Sequence, residues 1–433
     1  MSRAEDMSPD APDSADDDDW GVSRPQPESV GRPRRGMSRA QRMRAERNRK
    51  RRRLFSRFSV AILIVVVIGA VFLGSTLWHK MFGTGTGNDY AGGGRSDLVI
   101  EVHDGDTTTA IGQQLHEHNV VATVKAFVDA AQRNSAMSSI QPGFYKVRTE
   151  IPAADAVARL VDPHNRVGRL VIPEGLQLDD TTDVKTNKVS PGIFSLISEA
   201  SCVDLDGTKK CIGANDLRQA AGSVDLNQLS IPGWALPDVK ALGTDHRRLE
   251  GLIAPGTWNV DPSGTPETVL AGLIAVSAHQ YEQWGLLDGA KRANLDPYQV
   301  LVVASLAQKE SAPDDFAKVA RVIYNRLATT DHRELQFDST VNYPLDRKEV
   351  ATTDLDRERS TPWNTYAREG LPATPICSPG EPALSAALAP TPGDWLYFVT
   401  IDNQGTTLFT RDYQQHLANI VLAKRNGVLD SSR

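Results

Sequence analysis

One glutamate, at the end of an apolar helix, is the residue in this chain best placed for acid–base chemistry. In the stretch DPYQVLVVASLAQKESAPDDFAKVARVIYNRL, Asp296 is a good helix N-cap and Pro297 suits the first helical position. Val300, Leu301, Ala304 and Ala307 recur at helical spacing, so one face is expected to be buried. Glu310 closes that helix just before the breaker Pro313. A second amphipathic helix, with Phe316, Val319, Ile323 and Leu327 on one side, is expected over about 315–327. A carboxylate ending an apolar helix and facing a second packed helix sits in a partly desolvated cleft. There its pKa rises toward the range a general acid needs. Periodicity alone leaves a second reading open, in which Lys309 and Glu310 are a solvated charge pair.

Other chemistries find little footing. The sequence has no GxxxxGK(S/T) phosphate loop, no HExxH zinc helix and no GxSxG elbow. His116 and His118 are two apart on an expected helix and so do not share a face. No cofactor is implied.

The elements that must position the glutamate come late in the chain. The 433 residues have room for two or three domains, and the net charge of −6 hides a strong asymmetry. Residues 1–30 are acidic and poor in apolar side chains, so they are expected to be disordered. Residues 32–57 are strongly basic; with 1–30 they form the tail 1–57. A nucleic-acid arm is the weaker reading of that block, because an uncharged run, Phe58–Trp78, follows at once and is long enough to cross a bilayer as a helix. The positive charges before it orient the chain with its N-terminus in the cytoplasm and the rest outside the cell membrane. The run is too long, and begins too late, for a cleaved signal peptide. A Gly-rich linker, 79–97, then leads outward.

Residues 98–168 read as a small domain: a strand near 98–102, helices from 107 and over 123–134, a strand after Gln141-Pro-Gly and a helix over Ala153–Leu160. Residues 169–433 form the larger domain. It opens on RLVIPEGLQ as strand and turn, carries helices near Pro266–Trp284, Asp296–Ser311, Asp315–Leu327 and Glu381–Leu388, and has strands near Trp395–Ile401 and Thr407–Phe409. That mixed order is α+β. Within 198–247, Cys202 and Cys211 flank a polar loop and can form a local disulfide outside the membrane. A zinc site there lacks a second pair of ligands, and Cys377 is expected to be unpaired.

Six ordered blocks raise the standing of Glu310. ASLAQKE (304–310), VIYNRL (322–327), LQFDSTV (335–341), LEGLIAPGTW (249–258), STPWNTYAREGLPATPICSPGEPAL (360–384) and LYFVTIDNQGTTLFTRDYQQHLANI (396–420) together resemble the YceG-like endolytic murein transglycosylases. The resemblance covers about 98–425 apart from an insert near 198–247. The small domain, opened by VHDGDTTTAIGQQL, resembles a LysM module, which implies either contact with N-acetylated glycan or a scaffold role. The implied fold is therefore a single N-terminal transmembrane helix, a small LysM-like α/β subdomain and a larger α+β catalytic domain.

The resemblance implies cleavage of the bond between N-acetylmuramic acid and N-acetylglucosamine inside nascent peptidoglycan strands, leaving 1,6-anhydro ends and ending strand growth. It implies peptidoglycan synthases as partners. Glu310 carries over as the acid and base; Gln308 stands where the family commonly has an earlier Glu. Gln336, Asp338, Asn364, Tyr366, Glu250 and Asn325 carry over as candidate substrate contacts. Four of them have a plainer alternative: Asp338 a turn former, Asn364 a loop brace, Tyr366 a core aromatic, Glu250 a structural acid. Tyr324 can equally be core, and His416 is expected to be structural. Two rival functions stay open: a hydrolytic muramidase using Glu310 with Asp338, and a non-catalytic glycan-binding scaffold.

Overall fold

The computed structural model describes residues 89–331, 333–350 and 352–428. The tail, the apolar run Phe58–Trp78 and most of the linker lie outside the described residues. Among the described residues, no helix is long and apolar enough to cross a membrane.

The chain first builds a small βααβ unit: β1 (Asp97–Val102), α1 (Thr108–Glu117), α2 (Val124–Ala131) and β2 (Gly143–Arg148). Thr107 and Thr123 cap the two helices, each hydroxyl accepting a backbone N–H three residues on. β1 and β2 pair antiparallel, α3 (Ala153–Val161) packs on β2, and β3 (Arg166–Val167) extends the sheet. Ile100, Leu115, Phe127, Val147, Val157 and Leu160 close a core of its own.

The second core begins across a single residue. Gly168 joins β3 to β4 (Arg169–Ile172), has φ +72°, and would set an added Cβ 2.0 Å from the Val260 carbonyl oxygen. Only glycine fits both constraints. After β4 come β5 (Thr181–Asp183), β6 (Val189–Ser190), α4 (Ile193–Ala200), the hairpin β7 (Val203–Leu205) and β8 (Thr208–Lys210), α5 (Ala214–Ser223) and α6 (Leu236–Ala241). Cys202 and Cys211 are bonded across the base of the hairpin, and Cys377 is free and buried. The hairpin reaches back to the small unit. The Asp97 N–H donates to Asp206 Oδ2 at 3.1 Å, the Asp206 N–H donates to Asp97 Oδ2 at 3.1 Å, and Lys146 Nζ donates to the Asp204 carbonyl at 2.6 Å.

The remaining elements are β9 (Gly256–Asn259), α7 (Pro266–Gln283), α8 (Leu286–Ala293), α9 (Pro297–Glu310), α10 (Phe316–Ala328), α11 (Asp338–Asn342), β10 (Arg347–Lys348), α12 (Asp354–Arg357), α13 (Glu381–Leu388), β11 (Tyr397–Thr400), β12 (Thr407–Thr410) and α14 (Tyr413–Arg425). β4 pairs with β9; β5 lies between β6 and β10; β11 pairs with β12. The result is α+β. Several helices differ from the sequence reading, which did not expect α4, α5, α6, α8, α11 or α12. α14 was not expected, although Asp412 caps it by accepting the Gln415 N–H at 2.7 Å. α9 is buried on every side from Val300 to Ala307, not along one face, because α8, α10 and α13 all pack against it.

Candidate active site

α9 turns polar only in its last turn, and that turn is where it leaves the core. Gln308 Oε1 accepts the Gly380 N–H at 3.0 Å, and Lys309 Nζ donates to the Gly175 carbonyl at 3.3 Å. Both contacts hold the loops at 173–176 and 378–380 against the helix end. Glu310 follows, with a partly open edge to solvent. Its carboxyl lies deep enough that loss of hydration pushes it from an ordinary 4.5 up to about 7. Ser339, next along the segment from Asp338, favours the charged form, and Lys309 does the same, while the negative charge of Asp338 opposes it.

The wall opposite Glu310 is the segment 335–346, stitched to the loop at 363–366. Gln336, in the left-handed region at φ +59°, donates its N–H to the Thr365 carbonyl at 3.0 Å. Thr340 and Thr365 share a hydroxyl hydrogen bond at 2.8 Å, and the Phe337 N–H donates to Thr365 Oγ1 at 3.1 Å. These buried contacts fix where Asp338 and Ser339 stand.

Asp338 is heavily committed. Its Oδ1 receives Arg357 Nη2 at 3.0 Å and the Tyr366 hydroxyl at 3.2 Å, and also accepts the Thr352 hydroxyl; Oδ2 receives Arg357 Nη2 at 3.2 Å. The Arg357 guanidinium also lies 4.8 Å from the Tyr366 ring centroid. Tyr366 is half-buried on this wall, its phenol raised by burial and by the nearby Asp338 and Glu310 charges.

Glu310, Asp338 and Tyr366 are thus brought together; the other sequence candidates are not all at the surface of the cleft. Gln336 is exposed beside it, with Oε1 accepting from Arg326 Nη2 at 2.9 Å. Asn364 is 1% exposed and its groups are spent inside the loop: Nδ2 donates to the carbonyls of Arg357 and Arg359, and Oδ1 accepts the Tyr366 N–H. It is a loop brace, with no face to offer a sugar. Glu250 is also 1% exposed, its Oε2 accepting the Leu178 N–H at 3.1 Å and the Tyr343 hydroxyl at 2.8 Å. Burial raises it to about 7 as well, but it lies in the core behind the wall, so its role is structural. Asn325 Nδ2 ties α10 to the carbonyls of Gly393 and Trp395. Tyr324 donates to the Ala387 carbonyl, and His416 stacks on Tyr397 at 5.0 Å.

Ser339, Arg357 and Arg326 were not singled out from the sequence. Ser339 lies inside the LQFDSTV block beside Asp338, which was a usable signal. The arginines carried none, since each meets its partner only through the fold. Among the described residues, no group of three or more His, Cys, Asp or Glu side chains is placed to hold a metal ion.

The chain is similar to known proteins over most of its length. The YceG-like family model matches residues 100–421. An endolytic murein transglycosylase of Bacillus subtilis is 26% identical over 328 residues, covering 74% of this chain and 83% of the relative. One from Streptococcus pneumoniae serotype 2 is 24% identical over 341 residues, covering 75% of this chain and 58% of that longer relative. A solved YceG-like protein of Listeria monocytogenes superposes with a TM-score of 0.44 at 24% identity, covering 74% of this chain and 98% of that one.

Proposed function

The chain belongs to the YceG-like family, and from that footing we propose that it is an endolytic murein transglycosylase acting on peptidoglycan strands, with Glu310 as its acid and base. One observation carries the assignment: a carboxyl held near 7 faces an aspartate whose charge an arginine already claims.

The chemistry follows from that pairing. At neutral pH a large share of Glu310 is protonated, so it can deliver its proton to the oxygen linking muramic acid to the next glucosamine. The bond from the muramyl anomeric carbon to that oxygen breaks as positive charge develops on the sugar. The 6-hydroxyl of the same muramyl residue then bonds to the anomeric carbon and gives its proton to the Glu310 carboxylate. The acid is regenerated, a 1,6-anhydro ring closes, and no water is consumed. Tyr366 and Gln336, on the opposing wall, are the polar side chains available to the glycan.

A hydrolytic muramidase would need a second free carboxylate to act as nucleophile or to activate water. Asp338 is poorly suited, with its oxygens occupied by Arg357, Thr352 and Tyr366. A scaffold role is less favoured, because Glu310, unlike the fully buried Glu250, keeps an edge open to solvent beside Asp338.

The basic block followed by Phe58–Trp78 supports a single membrane span, with the catalytic part outside the cell membrane. The short linker would keep the cleft near newly made strands, where cleavage ends their growth and where peptidoglycan synthases are the expected partners. The βααβ unit supports a LysM-like role in holding glycan.

The test is product analysis. The wild-type chain on uncrosslinked glycan is expected to release ends one water lighter than reducing ends. Glu310→Gln is expected to lose about 100- to 10,000-fold in rate while folding normally; cleavage at the wild-type rate by that variant would overturn the assignment.

A further inference from the structure

The wall that faces Glu310 is pinned at both ends by arginine–carboxylate pairs. Arg357 holds Asp338 at the start of the segment 338–346. At the other end, Arg247 Nη2 lies 3.0 Å from both carboxylate oxygens of Asp346. Asp346 needs such a hold, because it sits in the left-handed region at φ +51°, where side-chain-bearing residues are uncommon. Gln177 Nε2 adds a third contact to Asp346, at 3.2 Å.

Arg247 does more than pair a charge. Its guanidinium lies 5.7 Å from the Tyr343 ring centroid and 5.9 Å from that of Trp363, two rings packed edge to face at 5.4 Å. Tyr343 belongs to the segment, and Trp363 begins the loop stitched to it. One planar cation therefore grips the segment, the loop and Asp346 together, while also standing 3.4 Å from Asp179. It reaches the frame from the end of the insert 198–247.

We propose that Arg247 is a positioning residue for the reaction: with Arg357 it clamps segment 338–346 so that Asp338 and Ser339 stay against Glu310, and this is what the insert contributes to catalysis. The proposal rests on Glu310 being the acid. Arg247 touches no reacting atom and acts only through the wall it holds.

The neighbouring Arg248 supplies a control. It stands one residue past the insert and donates to the carbonyls of Ala221, Gly243 and Val224, all inside the insert. Three full-length variants, Arg247→Met, Arg247→Lys and Arg248→Met, are compared with wild type by hydrogen exchange over 338–346 and by the pH dependence of strand cleavage. Arg247→Met is expected to exchange faster over that segment, to lose about tenfold or more in kcat with little change in KM, and to move the alkaline limb of the pH profile. Arg247→Lys, which keeps the charge but not the planar fork, is expected to fall between. Arg248→Met is expected to melt earlier while keeping the wild-type limb and segment exchange. Unchanged exchange over 338–346 in Arg247→Met, or an equal limb shift in Arg248→Met, would overturn the proposal. Glu310→Gln in the same assay separates the two claims: if it still cleaves, the acid assignment falls, and the exchange comparison still decides what Arg247 holds.

Discussion

Asp338 lies in the fork of Arg357, with Nη2 3.0 Å from one carboxylate oxygen and 3.2 Å from the other. The pair is only partly shielded, at 25% and 30% side-chain exposure, so it places the wall more than it stabilises the fold. Asp338→Asn keeps the shape and breaks the pair. It is expected to slow cleavage about 10- to 100-fold, less than Glu310→Gln, while the ends released stay one water light. A loss as deep as that of Glu310→Gln, or a switch to reducing ends, would make Asp338 a reacting group.

The pH–rate profile should report Glu310. Its carboxyl must carry a proton to act as acid, and burial places its midpoint at about 7. kcat/KM is therefore expected to fall as pH rises through that value. Ser339 favours the charged form, so Ser339→Ala should raise the midpoint and carry the alkaline limb to higher pH. A limb that stays put, measured on glycan strands across pH 5–9, would remove Ser339 from the account.

Glu250 makes the opposite kind of contribution. Its folded value, about 7, stands above the ordinary 4.5 because the charged form is desolvated. The folded protein thus binds more protons between those values, and stability falls as pH rises from about 4.5 to 7. Glu250→Gln keeps an acceptor for the Leu178 N–H and the Tyr343 hydroxyl and removes the charge. Relative to wild type it should gain stability as pH rises over that window, by up to a few kcal/mol at about 1.4 kcal/mol per pKa unit. Thermal melts at pH 5 and pH 8 measure the difference; an equal offset at both would contradict it.

The Cys202–Cys211 bridge spans a sequence separation of 9. Closing a loop of that size constrains the unfolded chain by about 2–3 kcal/mol. The double variant Cys202→Ser with Cys211→Ser is expected to lose that much in denaturant titrations. It should also be cut faster by protease within 203–210, since the hairpin then keeps only its strand pairing and its hydrogen bonds to neighbouring segments.

Much of the architecture is legible along the chain because its signals are local. Asp296, Pro297 and Pro313 mark the ends of α9, and apolar spacing marks α7, α10 and α13. Glu310 was legible as a helix-end acid. The arginines around it were not: Arg357 meets Asp338 across 19 residues and Arg247 meets Asp346 across 99, distances at which periodicity carries no information. Burial misled in the same way. Glu250 and Asn364 belong to blocks that resemble the family's site, and nothing in their spacing distinguishes a side chain lining a groove from one bracing it. The all-round burial of α9 escaped because its flanking helices arrive from both directions in sequence.

The handshake between Asp97 and Asp206 ties the small unit to the body that carries the acid, and a covalent bridge stiffens the arm that makes it. A polymer resting on both would have to span one set interval, as cloth does between a clamp and a blade. Fragment size would then be written into the protein's dimensions, and lengthening the arm would be the way to rewrite it.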